Sequence, residues 1–254
     1  MSCYQIIFSP TGGTQMVADI ISAAWNGPVQ TLDLADPQAD FSRYTFRPED
    51  LCLIAVPSFG GRVPAIAAER LAQLKGQDAR AVLVAVYGNR AYDDTLLELE
   101  DIAMAGGFRC VAAVAAVAEH SLLRRFAAGR PDAADRQELQ GFGRQIQSRL
   151  AQEAESAPVQ VPGNRPYREY HGVPLHPQAG RRCDGCGLCA ARCPVQAISA
   201  ANPKLTDQGR CITCMQCVAI CPQQARRTKR LLTMGAARKM KKACSGRKPN
   251  QLFL

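Results

Sequence analysis

The sequence predicts an α/β protein: a five-stranded parallel sheet with helices on both faces, followed by a small cysteine-rich unit. Three observations lead there. Short apolar runs rich in β-branched residues alternate with stretches of helical period through the N-terminal 155 residues, and that alternation builds parallel sheets covered on both sides. The turns after the first, third and fourth runs are rich in Gly, Pro and hydroxyl residues. In open α/β sheets such turns gather outside the carboxyl ends of the strands, where ligands bind. Finally, eight of the twelve cysteines fall between positions 183 and 221.

The first strand is expected over Ser2 to Phe8, stopped by Ser9-Pro10, and a helix over Thr14 to Trp25 with Met16, Val17, Ile20, Ile21 and Ala24 on one face. Between them lies Ser9-Pro10-Thr11-Gly12-Gly13-Thr14. A strand, a Gly-rich turn and a helix start form an anion site, because unpaired N–H groups and the helix dipole both favour phosphate. No P-loop lysine and no G-x-G-x-x-G is present, so a single terminal phosphate on the Ser9, Thr11 and Thr14 hydroxyls suits the turn better than a triphosphate or pyrophosphate. Helix capping by Thr14 is the plainer alternative.

Val29 to Leu34 reads as the second strand and Leu51 to Val56 as a buried third, ending in Pro57-Ser58-Phe59-Gly60-Gly61-Arg62-Val63-Pro64. Pro64 opens a helix to about Leu74, with Ile66, Ala67, Leu71 and Leu74 on one face. Ala81 to Val86 is the fourth strand; Tyr87-Gly88-Asn89-Arg90-Ala91-Tyr92-Asp93-Asp94 follows, then a helix through Ala105 stopped by Gly106-Gly107. Arg109 to Val117 is the fifth strand, with His120 just past its end as a loop residue able to approach the pocket, and Asp135 to Glu155 is a closing helix. These elements make up a domain over 1–156. Residues 157–180 carry five prolines and no periodicity, which predicts a stiff spacer. The cysteine-rich unit spans 181–225 and a basic tail 226–254.

The cysteines read C-x2-C-x2-C-x3-C-P twice, at Cys183, Cys186, Cys189, Cys193 and at Cys211, Cys214, Cys217, Cys221. This is the bacterial ferredoxin spacing, in which the fourth cysteine of each run ligates the other run's cluster. Two [4Fe-4S] clusters are therefore expected. Cluster I takes Cys183, Cys186, Cys189 and Cys221; cluster II takes Cys211, Cys214, Cys217 and Cys193. A zinc ribbon is the alternative, but each run has three close cysteines and a fourth followed by Pro194 or Pro222, which zinc pairs lack. Cys3, Cys52 and Cys110 fall within strands and read as inert core. Cys244 lies among Lys241, Lys242 and Arg247, surroundings that lower a thiol pKa where the thiol is exposed; a tail cysteine without a role is the simpler expectation. His171 and His176, in the spacer, carry no signal.

The loop Ser9 to Thr14 resembles the FMN-phosphate loop of flavodoxins, with Phe59 where they place an aromatic beside the isoalloxazine and Tyr92 where they stack a tyrosine. With the double cysteine motif behind it, and G-N-R-A-Y in the third loop, the chain resembles the flavodoxin-ferredoxin fusion proteins of anaerobes. The resemblance implies a flavodoxin-like sheet of order 2-1-3-4-5 and a C-terminal ferredoxin-like domain. It implies FMN held by Ser9, Thr11, Gly12, Gly13 and Thr14 at the phosphate, and by Pro57, Ser58, Phe59, Gly60, Gly61, Gly88, Asn89, Arg90 and Tyr92 at the ring. Gly13 departs from the asparagine frequent in that loop, and Arg62 or Arg90 would be placed to stabilise an anionic reduced flavin.

Net charge is +9, yet residues 223 to 254 hold ten Lys or Arg and no Asp or Glu, leaving a balance of −1 for the rest. In the tail, Leu231, Leu232 and Met234 are expected to dock on a domain with the basic side chains in water. A redox partner protein, acidic to suit that charge, comes second. Nucleic acid is not expected, because no recognition motif or base-stacking aromatics accompany the charge. No apolar run is long enough for a transmembrane segment or a signal peptide, so a cytoplasmic protein is expected, and a homo-oligomer passing electrons between subunits is compatible with it. The function expected is electron transfer between FMN and the clusters. A flavin-dependent reductase of a small organic substrate and an iron-sulfur carrier with a degenerate flavin site are the alternatives.

Overall fold

The computed structural model describes residues 2–25, 27–151 and 158–254. Its strands and helices follow the apolar runs. In order they are β1 (Cys3–Ile7), α1 (Gly13–Ser22), β2 (Val29–Asp33), a 3-10 turn at Phe41–Arg43, β3 (Leu51–Pro57), α2 (Ala65–Leu71), β4 (Arg80–Tyr87), α3 (Thr95–Ala105), β5 (Arg109–Val117) and α4 (Ala133–Ala151). After these come β6 (Gln178–Ala179), α5 (Leu188–Ala191), α6 (Gln216–Ala219), β7 (Arg226–Arg227), α7 (Arg230–Met240) and β8 (Gln251–Phe253). The last turn expected of the closing helix and the expected boundary at 156/157 lie outside the described residues.

The main sheet has the order β2-β1-β3-β4-β5-β8. Its first five strands are parallel, in the order of the flavodoxin-like doubly wound class. Successive residues of each strand alternate between two cores. Ile6, Ile54 and Leu83 meet α2 and α3 on one face through Leu71, Leu96 and Leu99. Ile7, Leu53 and Val84 meet α1 and α4 on the other through Val17, Ile21, Leu139 and Ile146. Helices α1 and α4 touch closely at Gly143, where an added Cβ would lie 2.3 Å from the Ile21 carbonyl oxygen.

A sixth strand adds to the expected five parallel ones. β8 pairs antiparallel with β5, Ala113 opposite Phe253 and Ala115 opposite Gln251, and so covers a sheet edge that would otherwise present unpaired backbone groups. Three residues are too short for a period-2 signal. The anchor is lateral: Asn250 Oδ1 accepts from Val117 N at 2.9 Å, while its amide donates to Asp135 at 3.0 Å. Asp135, 1% exposed, also takes both Nε and Nη2 of the buried Arg130. Burial alone would raise the Asp135 carboxyl; the Arg130, Asp132 and Asn250 bonds outweigh it and hold the carboxyl below its ordinary value.

The tail and the spacer therefore both differ from expectation. Leu231, Leu232 and Met234 do not dock; Leu231 is 82% exposed. The helix instead turns Ala237 inward against Leu123 and Phe126, together with Cys244. Burial pushes the Cys244 thiol up, opposite to an exposed basic setting. The proline-rich segment, expected as a stiff spacer, is a strap bonded to the first domain. Asp94 accepts from Asn164 N and Arg168 N, Asp101 takes the Arg165 guanidinium and the Tyr167 hydroxyl, and β6 pairs with β7 across the cysteine-rich unit.

Candidate functional site

The turn after β1 begins α1 with Gly12 in the left-handed region, φ 86°, a conformation that costs glycine little. Ser9 Oγ accepts the Gln15 N–H at 2.9 Å, so this hydroxyl caps the helix. Thr11, Gly13 and Thr14 line a cavity of about 340 Å³ at the carboxyl edge of the sheet, within the usual range for small-ligand pockets. The same cavity is walled by Pro57, Ser58, Phe59 and Gly60 after β3, by Gly88 and Arg90 after β4, and by Glu119, His120 and Ser121 after β5. Nine of the fourteen residues expected at a flavin site thus share one space.

Ser9, Gly12, Gly61, Asn89 and Tyr92 do not line it. Asn89 is buried and holds the tail: its amide donates to the Cys244 and Gly246 carbonyls, and its Oδ1 accepts from Lys248 N. Tyr92 packs edge-on against Tyr87 and donates to Gln251 Oε1 at 2.7 Å. Both are drawn away because the returning tail offers them partners. Arg62 is likewise occupied, forking onto Glu98 at 2.8 and 2.7 Å beneath the Tyr167 ring.

Residues far along the chain complete the walls: Arg168, Tyr170 and Val173 from the strap, Ile212 and Thr213 from the second cysteine run, and Met240 at the end of α7. Tyr170 lies over Gly60, whose added Cβ would sit 2.1 Å from the tyrosine ring. The cavity therefore has three aromatic rings besides His120, those of Phe59, Tyr87 and Tyr170. Arg90 and Arg168 share the single carboxylate of Asp93, which leaves one positive charge in excess beside the cavity. His120 accepts two backbone N–H bonds at Nδ1, from Leu122 and Leu123 at 3.3 Å, so the neutral ring carries its hydrogen on Nε2. Burial keeps it neutral by lowering its pKa. None of these distant residues leaves a local signal, except His120, whose place after the fifth strand is readable.

The eight cysteines line two separate hollows. Cys193, Cys211, Cys214 and Cys217 line one; Cys183, Cys186, Cys189 and Cys221 line the other. The two runs adopt one backbone path. Gly185 and Gly187 have φ of 82° and 79°, and the matching Thr213 and Met215 have 54° and 67°. Left-handed residues at these places turn N–H groups inward, as anion-binding nests do. Ala197 N and Ala225 N donate to the Cys193 and Cys221 sulfurs at 3.3 Å. Burial pushes the Cys214 and Cys217 thiols up to about 12, so the thiolates a cluster needs form there only with iron bound. Four-sulfur donor sets with inward N–H groups fit iron-sulfur clusters. Among the described residues no three His, Cys, Asp or Glu side chains converge on one metal ion.

The cysteine-rich unit is fastened over the first domain. Arg70 of α2, 8% exposed, donates to the Leu34 carbonyl at 2.5 Å and to the Pro194 carbonyl at 2.8 Å. Ile212 packs on the first domain's core and lines both the large cavity and the Cys193 hollow. No helix of the described residues is long and apolar enough to cross a membrane.

Residues 168–226 match the model of the 4Fe-4S dicluster domain family. Solved structures similar to the N-terminal part include a flavodoxin of Streptococcus pneumonia TIGR4, 19% identical over 58% of this chain and 99% of that one, TM-score 0.41. A flavodoxin from the domain Archaea is 14% identical over 59% and 99%, TM-score 0.43, and flavodoxin 1 from Bacillus cereus 15% identical over 58% and 98%, TM-score 0.43. Compared with curated proteins, the chain matches none. The fold assignment stands on the strand order and register described above.

Proposed function

We propose that this protein transfers electrons between FMN, held in the cavity at the sheet edge, and two [4Fe-4S] clusters, with the Cys193, Cys211, Cys214 and Cys217 cluster next to the flavin and the Cys183, Cys186, Cys189 and Cys221 cluster beyond it. FMN exchanges one or two electrons and each cluster one, so such a set joins two-electron chemistry to a one-electron line. The observation that carries the order is Ile212, one side chain in the walls of both the cavity and the first hollow. Thr11, Gly13 and Thr14 would hold the phosphate, Phe59 and Tyr170 would flank the ring, and the surplus charge of Arg90 and Arg168 over Asp93 would favour an anion. At the far end Cys186 is exposed, a place for a redox protein to exchange electrons.

A second reading, reduction of a small organic substrate over the flavin, is supported by His120, which lines the cavity with Nε2–H as its remaining donor. Anaerobic purification with cofactor analysis tests the proposal. We expect about eight iron atoms per chain and one noncovalent FMN, and in Cys193→Ala loss of the cluster next to the flavin alone. Iron-rich protein unable to bind added FMN would refute the relay. Turnover of a small molecule that His120→Gln slows would favour the reductase.

A further inference from the structure

Arg226 opens β7 four residues past the second proline of the cysteine runs, and it is buried, 2% exposed. A guanidinium keeps its charge under all ordinary conditions, and a buried charge is costly unless paired. The buried Arg130 has such a pair in Asp135. Arg226 bonds no carboxylate among the described residues. Its Nη1 donates to Thr206 Oγ1 at 3.0 Å and the Pro177 carbonyl at 3.4 Å, its Nη2 to the Pro203 carbonyl at 2.5 Å, and its Nε to Cys189 Sγ at 3.2 Å.

The placement of those four partners is informative. Thr206 and Pro177 line the hollow of Cys193, Cys211, Cys214 and Cys217. Cys189 and Pro203, with Arg226 itself, line the other hollow. The guanidinium therefore stands in the partition between the two cysteine sets, touching a sulfur of one set directly and the wall of the other through neutral oxygens. As a neutral thiol, Cys189 gives this cation no counter-charge. As a thiolate ligand it does, because a [4Fe-4S] cluster with four thiolates is a dianion that becomes a trianion on reduction.

We propose that Arg226 is the built-in counter-charge of the clusters, raising the reduction potential of the cluster ligated by Cys189 above what the thiolates alone would set, and raising that of its neighbour by less. A fixed cation favours the more negative, reduced state, and a hydrogen bond to a ligand sulfur acts in the same direction. The electron then rests on the outer cluster, the one with an exposed cysteine, when the relay is reduced. This inference rests on the two-cluster reading above.

The test uses the anaerobically purified full chain with its clusters, as wild type, Arg226→Gln and Arg226→Lys, in redox titrations followed by EPR. In R226Q with full iron content, the reduction equilibrium of the Cys189 cluster should fall at least tenfold, about 59 mV for one electron, and that of the other cluster by less. R226K, which keeps the charge, should recover most of the fall. Cluster loss from R226Q that R226K restores would support the same role. An unshifted Cys189 cluster in fully loaded R226Q would overturn it, and equal falls in both variants would show that shape rather than charge matters. Should neither variant load iron, 15N-arginine labelling of the wild type decides. A nitrogen coupling to the reduced outer cluster supports the contact, and its absence removes it. A wild-type iron content of about four would instead remove the two-cluster reading, with the R226Q shift still deciding Arg226 for the cluster that remains.

Discussion

Arg70→Met tests whether the cysteine-rich unit is seated on the first domain by a single side chain. Arg70, on the first domain, reaches across to the Pro194 carbonyl at 2.8 Å and holds the Leu34 carbonyl of its own domain at 2.5 Å, with its guanidinium 5.4 Å above the Phe41 ring. Hydrogen bonds from a charged donor contribute about 1.5–3 kcal/mol each, so the pair amounts to about 3–6 kcal/mol. Desolvation of the cation offsets part of that, and burial does lower the Arg70 pKa. Methionine keeps the apolar stem over Phe41, so the loss falls on the two carbonyls. A net loss of about 2–4 kcal/mol follows, which for a chain near this length lowers the thermal midpoint by about 2–4 °C per kcal/mol, or about 4–16 °C. Calorimetry of the loaded protein reads the midpoint, and stopped-flow reduction reads flavin-to-cluster transfer, which should slow because Pro194 directly follows Cys193, a ligand of the cluster proposed beside the flavin. An R70M protein with an unchanged midpoint and unchanged transfer would show that the strap and Ile212 seat the unit without it.

Two further outcomes are expected. Gly60→Ala drives a Cβ to within 2.1 Å of the Tyr170 ring at φ 63°. FMN affinity by fluorescence titration should fall about tenfold, about 1.4 kcal/mol, with iron content unchanged; retained affinity would show that Tyr170 does not flank the ring. Asp135→Asn strands the buried Arg130, and removing one member of such a pair costs about 3–5 kcal/mol. Because the Asp135 carboxyl lies below its ordinary value of 3.8, its stabilisation is complete above that value and is lost as pH falls through the lower folded value. The difference in denaturant midpoint between wild type and D135N should therefore be constant from about pH 8 to 5 and shrink below about pH 4, while the decline below about pH 6.5 from protonation of buried His120 is common to both. An equal decline below about pH 4 in D135N would place it on other carboxylates.

The first-domain fold was legible because its signals are local. Each strand is a continuous buried run, as Leu51 to Val56 is, and each helix a 3.6-period stripe, so five parallel strands could be read before any contact was known. The division of the eight cysteines into two sets of four was likewise written in their spacing, and the two hollows are lined by those same sets. Missed were β8, too short to carry a period, and the bonds of the strap, whose prolines suggested a stiff spacer but not that Asp94 and Asp101 bind it down. The residues expected at a flavin fell between these cases. Thr11, Thr14 and Phe59 line the cavity as expected, whereas Asn89 and Tyr92 were claimed by the tail.

By itself, then, the sequence determined the sheet, the edge at which its loops converge and the two sets of cysteines, because these depend on neighbours in the chain. Only the tertiary structure decided what closes the cavity, with Tyr170 and Arg168 from the strap and Ile212 from the cysteine-rich unit, and which cysteine set stands beside it. Those contacts join segments far apart in the chain, chosen by shape and by the partners that buried groups such as Arg70, Asn89 and Arg226 must find, and no local pattern records that choice.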